Sequence, residues 1–370
     1  MPKKIPNANL TEVARVFFKL GCIGFGGPAA HIAMMEKEVV QKRQWITREH
    51  FVDLIGATNL IPGPNSTELT MHCGHERAGW KGLIVAGTCF ISPAVIITSV
   101  FAWAYQQYGH LPQVAPFIYG IKPAIIAVII SAIIPLAKTA FKTIELWVIA
   151  ILCTIAVLAG ADEILVLFGA GAVGILLHMM RNCSETLNSI IPLSIVPLSH
   201  TSVFLKFLKV GSILYGSGYV LFAFLDAELV QTNIISKQIL IDAIAVGQFT
   251  PGPVFSSATF IGWQISGFGG AVAATIGIFL PSFLFVALLN PIIPKLRKSK
   301  IMSAFLDTVN VASVAIILAV CVEMAKYSIS DWRTILIACL SLLVVFRFRS
   351  LNTSFVIVGG AVLGYVLSLF

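Results

Sequence analysis

The sequence predicts an all-α, polytopic membrane protein made of two homologous halves, and three observations carry that prediction. Of the 370 residues, 57% are hydrophobic and only 11% charged, less than half the charged share of about 25% in soluble domains. The apolar residues fall in runs long enough to cross a bilayer, about 20 residues each. A set of Gly, Pro and acidic residues also recurs, in order, in the second half of the chain. So few charges cannot cover a water-facing surface. That excludes a soluble enzyme, a nucleic-acid-binding domain and a disordered linker, and makes the lipid bilayer the solvent.

Apolar spans run over 11–34, 80–107, 117–138, 144–160, 163–180, 203–225, 268–293, 303–326, 332–348 and 353–370. Two more, 51–76 and 238–263, are each cut by Pro-Gly-Pro, so the expectation is about 10 to 12 helical segments. The net charge is 25 − 17 = +8. Its basic residues sit singly or in short loops, the pattern of cytoplasmic anchoring against anionic headgroups rather than of nucleic-acid binding. The seven cysteines (Cys22, Cys73, Cys89, Cys153, Cys183, Cys321 and Cys339) form no C-x-x-C pair. They read as buried thiols, with neither a disulfide framework nor a zinc site. The polar start up to Thr11 has no h-region of a removable signal peptide.

The repeat is detailed. Phe18-Lys19-Leu20-Gly21 and Gly24-Phe25-Gly26-Gly27-Pro28 return as Leu208-Lys209-Val210-Gly211 and Leu214-Tyr215-Gly216-Ser217-Gly218. Glu38 meets Glu228, Asp53 meets Asp242, and Pro62-Gly63-Pro64 meets Pro251-Gly252-Pro253. Gly74, Gly79, Gly82 and Pro93 meet Gly262, Gly267, Gly270 and Pro281. This is internal duplication, with halves over about 1–190 and 191–370. Lys37, Lys42, Arg43 and Arg48 follow the first segment of half one, whereas the matching 226–237 has only Lys237 against Asp226 and Glu228. The bias reverses after the third segment, where 108–116 has no Lys or Arg and half two has Lys295, Arg297, Lys298 and Lys300. Equivalent loops on opposite sides predict an inverted repeat. Lys3 and Lys4 fit it only if the first segment is re-entrant.

Pro-Gly-Pro inside a span is the strongest chemical signal. Each Pro removes a donor and blocks the helix behind it, so one helix stops before Pro62 and another starts near Asn65-Ser66-Thr67. Broken backbone at membrane depth is tolerated only against protein or a water-filled cavity, and a half-helix N-terminus favours an anion. The bland alternative is a kink without ligand. The Gly-rich stretches have no Walker context and read either as close helix packing or as a second break facing the first. Lys19 and Lys209 either neutralise a dianion or snorkel to the interface. Asp53 and Asp242 are helix-start acids, or proton carriers if buried. Glu68, His72, His75 and Glu76 share one helix face in half one alone. They read as cavity or interface polar residues, a proton relay or, least of all, a metal site. No nucleophile elbow, H-E-x-x-H or Walker motif is present, so no enzyme and no cofactor is expected, and transport would run on a gradient.

Phe18-Lys19-Leu20-Gly21, Phe25-Gly26-Gly27-Pro28, Glu38, Trp45, Asp53 and Pro62-Gly63-Pro64 together resemble the N-terminal domain of the chromate transporter family. Gly247-Gln248-Phe249-Thr250-Pro251-Gly252-Pro253 resembles its C-terminal domain. The likeness spans about residue 11 to 370 and corresponds to the two-domain long form. It implies gradient-driven export of chromate across the inner membrane of a bacterium, hence chromate resistance, by alternating access. Sulfate-like oxyanions are the alternative substrates, an anion channel or a non-transporting scaffold the alternative classes, and a homodimer is an open option for assembly. The substrate site expected on this basis comprises Lys19, Gly26, Gly27, Asn59, Pro62, Gly63, Pro64, Asn65, Ser66, Lys209, Gly216, Ser217, Gln248, Pro251, Gly252, Pro253 and Ser256. Glu68, His72, Asp53 and Asp242 are its candidates for proton coupling. Two departures from the family pattern lie beside the site. Asn59 stands where Gln is usual, and Asn65-Ser66-Thr67 where smaller residues are common.

Overall fold

Each half starts with helices too short to cross a bilayer. In the computed structural model, which describes residues 10–25, 27–109, 111, 113–181, 200–215, 218, 220–289, 300–348, 351 and 353–369, all regular structure is helical. Half one opens with α1 (Leu10–Ile23), breaks at Gly24, and resumes as α2 (Gly27–Met35), which widens into a π-helical turn over Glu36–Lys42. Then come α3 (Arg48–Thr58), the Pro-Gly-Pro break and α4 (Asn65–Tyr108). Half one ends with α5 (Ala115–Ala140), α6 (Ile144–Leu158) and α7 (Glu163–Arg181).

Half two repeats the order. It has α8 (His200–Ile213), α9 (Leu221–Leu225) widening into a π-helical turn over Asp226–Val230, and α10 (Lys237–Phe249). A 3-10 turn (Val254–Ser256) leads into α11 (Ser257–Leu289), followed by α12 (Lys300–Ser328), α13 (Trp332–Arg347) and α14 (Thr353–Ser368). The spans read from sequence over 11–34 and 203–225 are therefore each two pieces. A Cβ at Gly24 would press on the Leu20 carbonyl and the His31 ring, and Gly27 has φ +76°. Glycine makes that break without strain.

α4 is a hairpin. Ala78 (φ −143°) and Gly79 (φ +60°, ψ −150°) leave helical geometry, and the Gly79 conformation is essentially restricted to glycine. Gly74 packs against Gly82 and Ala86. In a continuous helix Gly74 and Gly82 would stand about 12 Å apart. The short arm (65–77) therefore folds back on the long arm (80–108), which is about 43 Å long. α11 does the same at Ser266 and Gly267 (φ +59°, ψ −150°), with Gly262 on Gly270 and the Thr259 and Thr275 hydroxyls 2.8 Å apart.

The short arm of α11 runs parallel to the long arm of α4. Thr98 bonds Ser256 (3.3 Å), the Tyr105 ring meets Phe260, and Trp263 Nε1 donates to Gln106 (2.8 Å). The Gly267 turn thus lies at the Tyr108 end of that arm, while the Gly79 turn lies at the other end.

Among the described residues five helices are long and apolar enough to cross a membrane: Asn65–Tyr108, Ala115–Ala140, Glu163–Met180, Val254–Leu288 and Ile301–Ser328. Two shorter apolar helices, Ile144–Leu158 and Thr353–Ser368, accompany them. The expected 10 to 12 segments are thus a mixture of full spans and half-length pieces, because Gly24 and the two Pro-Gly-Pro motifs interrupt the rest. The halves also interlock. α5 packs on α13 and α14, with Gly120 against Gly360 and Gly364, and α12 packs on α6 and α7, with Gly171 against Phe305. Small residues permit such close approach where no water drives association.

Candidate functional site

Each Pro-Gly-Pro break is held by the other half. Gly63 N–H donates to the Leu214 carbonyl (2.8 Å), and Gly252 N–H donates to the Gly24 carbonyl (2.7 Å). Leu214 is the repeat counterpart of Gly24, so the two bonds form one crossed pair. Gly63 has φ +139° and Gly252 φ +98°. A Cβ at Gly63 would collide with the Glu68 carboxylate and the Ser282 hydroxyl, and one at Gly252 would stand 2.9 Å from the Ala94 methyl. Ala94 and Ser282 each follow a matched proline, Pro93 or Pro281. The braces therefore obey the duplication down to the contacting side chains.

A cavity of about 330 Å³ lies against these breaks. Its floor joins both halves: Pro28, His31, Asn59, Pro64, Asn65 and Ser66 from one, Gly218, Pro253, Val254 and Phe255 from the other. Its walls come from the end of α5 (Leu136, Thr139, Ala140) and from Asn310, Ser313, Val314 and Ile317 of α12. At its mouth Lys142 pairs with Asp307 at 2.8 Å.

The local chemistry follows from the break. Pro64 is extended (φ −79°, ψ 96°), and the Thr67 and Glu68 amides close onto its carbonyl at 2.8 and 3.1 Å. Among the described residues the Asn65 and Ser66 amides ahead of them have no backbone acceptor. Asn65 Nδ2 donates to Asn59 Oδ1 (2.8 Å). His31 Nε2 donates to the Gly24 carbonyl (2.9 Å), which leaves Nδ1 to accept from Ser66 Oγ (3.3 Å). Gly24 O thus takes both the histidine and the Gly252 brace. Free amide donors at the positive end of a half-helix suit an oxyanion.

The structure brings Asn59, Pro64, Asn65, Ser66 and Pro253 to the cavity wall. Pro62, Gly63, Pro251 and Gly252 form the braces behind it. Gly27 starts α2, Ser256 is buried against Thr98, and Gln248 is buried near the end of α10. Gly26, Gly216 and Ser217 lie outside the described residues.

Lys19 and Lys209 are not among the residues that line this cavity. Lys19 is 60% exposed and 3.9 Å from Glu38, which also holds Lys42 (2.8 Å) and Arg43. Lys209 pairs with Glu228, which Lys206 approaches at 3.5 Å. The matched lysines meet the matched acids because both sit beside the π-helical turns.

Asp53 is exposed on α3, whereas Asp242 is buried and accepts from Tyr105 (2.6 Å) and Gln238 (3.0 and 2.9 Å). Glu68 and His72 are buried in the short arm of α4. His75 instead meets Trp80, and Glu76 meets His50 at 3.3 Å. The four-residue face is thus divided, and no metal-ligating cluster exists among the described residues. His31, Lys142, Asp307, Asn310 and Ser313 escaped the sequence reading. A polar residue inside an apolar run was the available signal: His31 stands where half two has Leu221, and Asp307 and Asn310 interrupt the span over 303–326.

A multi-pass helical membrane protein of two homologous halves, with broken helices meeting at a polar cavity, is the class these features define. The chain belongs to the chromate transporter family, whose model matches residues 11–175 and again 201–365. It is 30% identical over 380 residues to a probable chromate transport protein of Synechococcus elongatus, covering 98% of this chain and 96% of the relative. It is 29% identical to a chromate transport protein of Cupriavidus metallidurans, over 98% of this chain and 94% of the relative. An uncharacterized transporter of Methanocaldococcus jannaschii is 24% identical over 99% of this chain and 96% of its own length. No solved structure matches the chain. Family membership assigns a transport role rather than an enzymatic one.

Proposed function

We propose that the protein is a secondary transporter that exports chromate across the cytoplasmic membrane of a bacterium, by alternating access around the Pro-Gly-Pro cavity. The observation that carries this is the crossed pair of backbone bonds, which joins both breaks at a single cavity lined by both halves. A tetrahedral dianion would rest on the Asn65 and Ser66 backbone amides and the Asn59 side-chain amide. Relatives named as chromate transport proteins over nearly the whole chain support that substrate.

An inverted repeat is supported by the two hairpin turns, Gly79 and Gly267, at opposite ends of the long arm of α4. Half-helices α1, α2, α3 and the short arm of α4 then all lie toward the Gly79 end. The contacts of Glu12 with Arg77 (3.0 Å) and Arg43 (3.6 Å) support this. Arg43, Arg48, Arg77, Lys81, Lys138 and Lys142 gather there, so the positive-inside rule makes it the cytoplasmic end. The cavity mouth at Lys142 then faces the compartment from which chromate would be loaded. Glu68 and His72, buried about one and two turns from the break, are the coupling groups this reading favours.

The test is flux of labelled chromate and sulfate in liposomes holding the purified protein, with and without an imposed potential. Saturable, potential-sensitive chromate flux is expected, with sulfate competing weakly. Non-saturating flux that never concentrates substrate would instead identify a channel, and flux of neither anion would remove the proposal.

A further inference from the structure

We propose that Lys122 receives the anion in a second vestibule, formed when the cavity opens to the face opposite Lys142 and Asp307. This rests on the transporter reading and extends it by a binding position.

Internal symmetry makes the first argument. In the register that aligns Gly82 with Gly270 and Pro93 with Pro281, α5 matches α12. Tyr119 then corresponds to Asp307, Lys122 to Asn310 and Ile126 to Val314. Asn310 and Val314 line the present cavity, so Lys122 and Ile126 hold the matching places toward the other face. The ends match as well. Lys142 pairs with Asp307 at the open mouth, and the Tyr119 hydroxyl donates to Asp331 at the opposite end of α5. Asp331 stands one residue beyond the counterpart of Lys142. One latch therefore sits at each end of the same pathway.

The ammonium itself makes the second argument. Lys122 lies within α5, two turns from its start, and is half-buried. Among the described residues it has no ion pair or hydrogen bond, and Asp242 is its charged neighbour. Asp242 is instead bridged by the neutral donors Tyr105 and Gln238. A lysine retained only to neutralise Asp242 would be in contact with it. An intramembrane ammonium without a bonded partner belongs to a water-filled pathway. In such a pathway a dianion is the ligand its charge selects.

Proteoliposomes of known orientation test this, with half-saturation for chromate measured from each face. From the Lys122 face, Lys122→Gln is expected to raise half-saturation by about tenfold, the loss of one charge-assisted contact. From the Lys142 face the change is expected to stay under about twofold, and Lys122→Arg is expected to keep most of the affinity on both. A rise that is equal from the two faces, or no rise, overturns the assignment while leaving transport intact. Absence of wild-type flux would instead remove the transporter reading and this inference with it. A second measurement does not depend on the lysine variants. Ile126→Cys, in a chain whose native cysteines are replaced, should react with an impermeant thiol reagent from the Lys122 face only, and more slowly with chromate present. A residue unreactive from both faces in a transporting chain would overturn the vestibule.

Discussion

Substituting Gly252 by Ala measures how tightly one half is wedged against the other. The new methyl would stand 2.9 Å from the Ala94 Cβ, with Gly21 O at 3.5 Å and Phe90 O at 3.8 Å. Only the Ala94 contact is closer than van der Waals packing allows. The backbone at φ +98° adds strain of about 1–3 kcal/mol for a residue with a side chain. The methyl overlap adds about 1–3 kcal/mol more, as other overpacked cores do. Ala94→Gly relieves the second term but not the first, and by itself costs about 1 kcal/mol for glycine within a helix. The double variant should therefore be about 1–3 kcal/mol more stable than the sum of its parts. Unfolding of wild type, both single variants and the double variant in mixed micelles, followed by helical circular dichroism, gives this coupling directly. A coupling within about 0.5 kcal/mol of zero would refute the packing of the second Pro-Gly-Pro against the long arm of α4. Gly63→Ala should have no such single suppressor, because its methyl meets both Glu68 and Ser282.

Three further outcomes are expected. Lys19→Gln and Lys209→Gln should leave the KM for chromate within about twofold of wild type, because both ammonium groups are exposed, engaged with Glu38 and Glu228, and lie off the cavity; a large KM rise would place them at the site. At the mouth, Lys142→Gln should raise KM and Asp307→Asn lower it. Each effect is about fivefold at low salt, since a dianion about 8 Å from a unit charge in water gains or loses about 1 kcal/mol, and both should fade in high salt. Glu38 is held below its ordinary value of 4.5, first by the Lys42 hydrogen bond and then by the charges of Arg43, Lys42 and Lys19, against an opposing contribution from burial. A depressed carboxylate stabilises the fold above that ordinary value and loses the contribution as pH falls through its folded one. Wild type and Glu38→Gln should therefore converge in stability as pH falls from the ordinary value of 4.5 through the lower folded one, and a gap that widens on acidification would contradict the assignment.

The sequence disclosed much of the scaffold of the site. Pro62-Gly63-Pro64 and Pro251-Gly252-Pro253 marked both helix breaks, because proline and glycine act locally on the backbone. Gly79 and Gly267 were visible as matched glycines, and the span edges at 76 and 80 fell beside the turn. The break at Gly24 was one of two open readings of the Gly-rich stretch, since an apolar run with glycines also describes a well-packed continuous helix. Lys19 and Lys209 were visible as a matched pair, but matched position reveals repetition and says nothing of neighbours. Their acids, Glu38 and Glu228, were in view, but sequence carries no distance between α1 and a π-helical turn. His31, Asn310 and the Lys142–Asp307 pair stayed hidden because each owes its role to helices far away along the chain.

Composition and local backbone chemistry thus determined, without coordinates, that this is a duplicated helical membrane protein with its helices broken at two places. Charge density, run length and the conformational limits of proline and glycine are properties of short segments. Tertiary structure alone decided that each break is braced by the opposite half, through Gly63 to Leu214 and Gly252 to Gly24. It also decided that the cavity draws its walls from α5 and α12. Those partners are chosen by packing between residues remote in sequence, where glycine against glycine lets backbones approach and no local pattern names the helix on the other side.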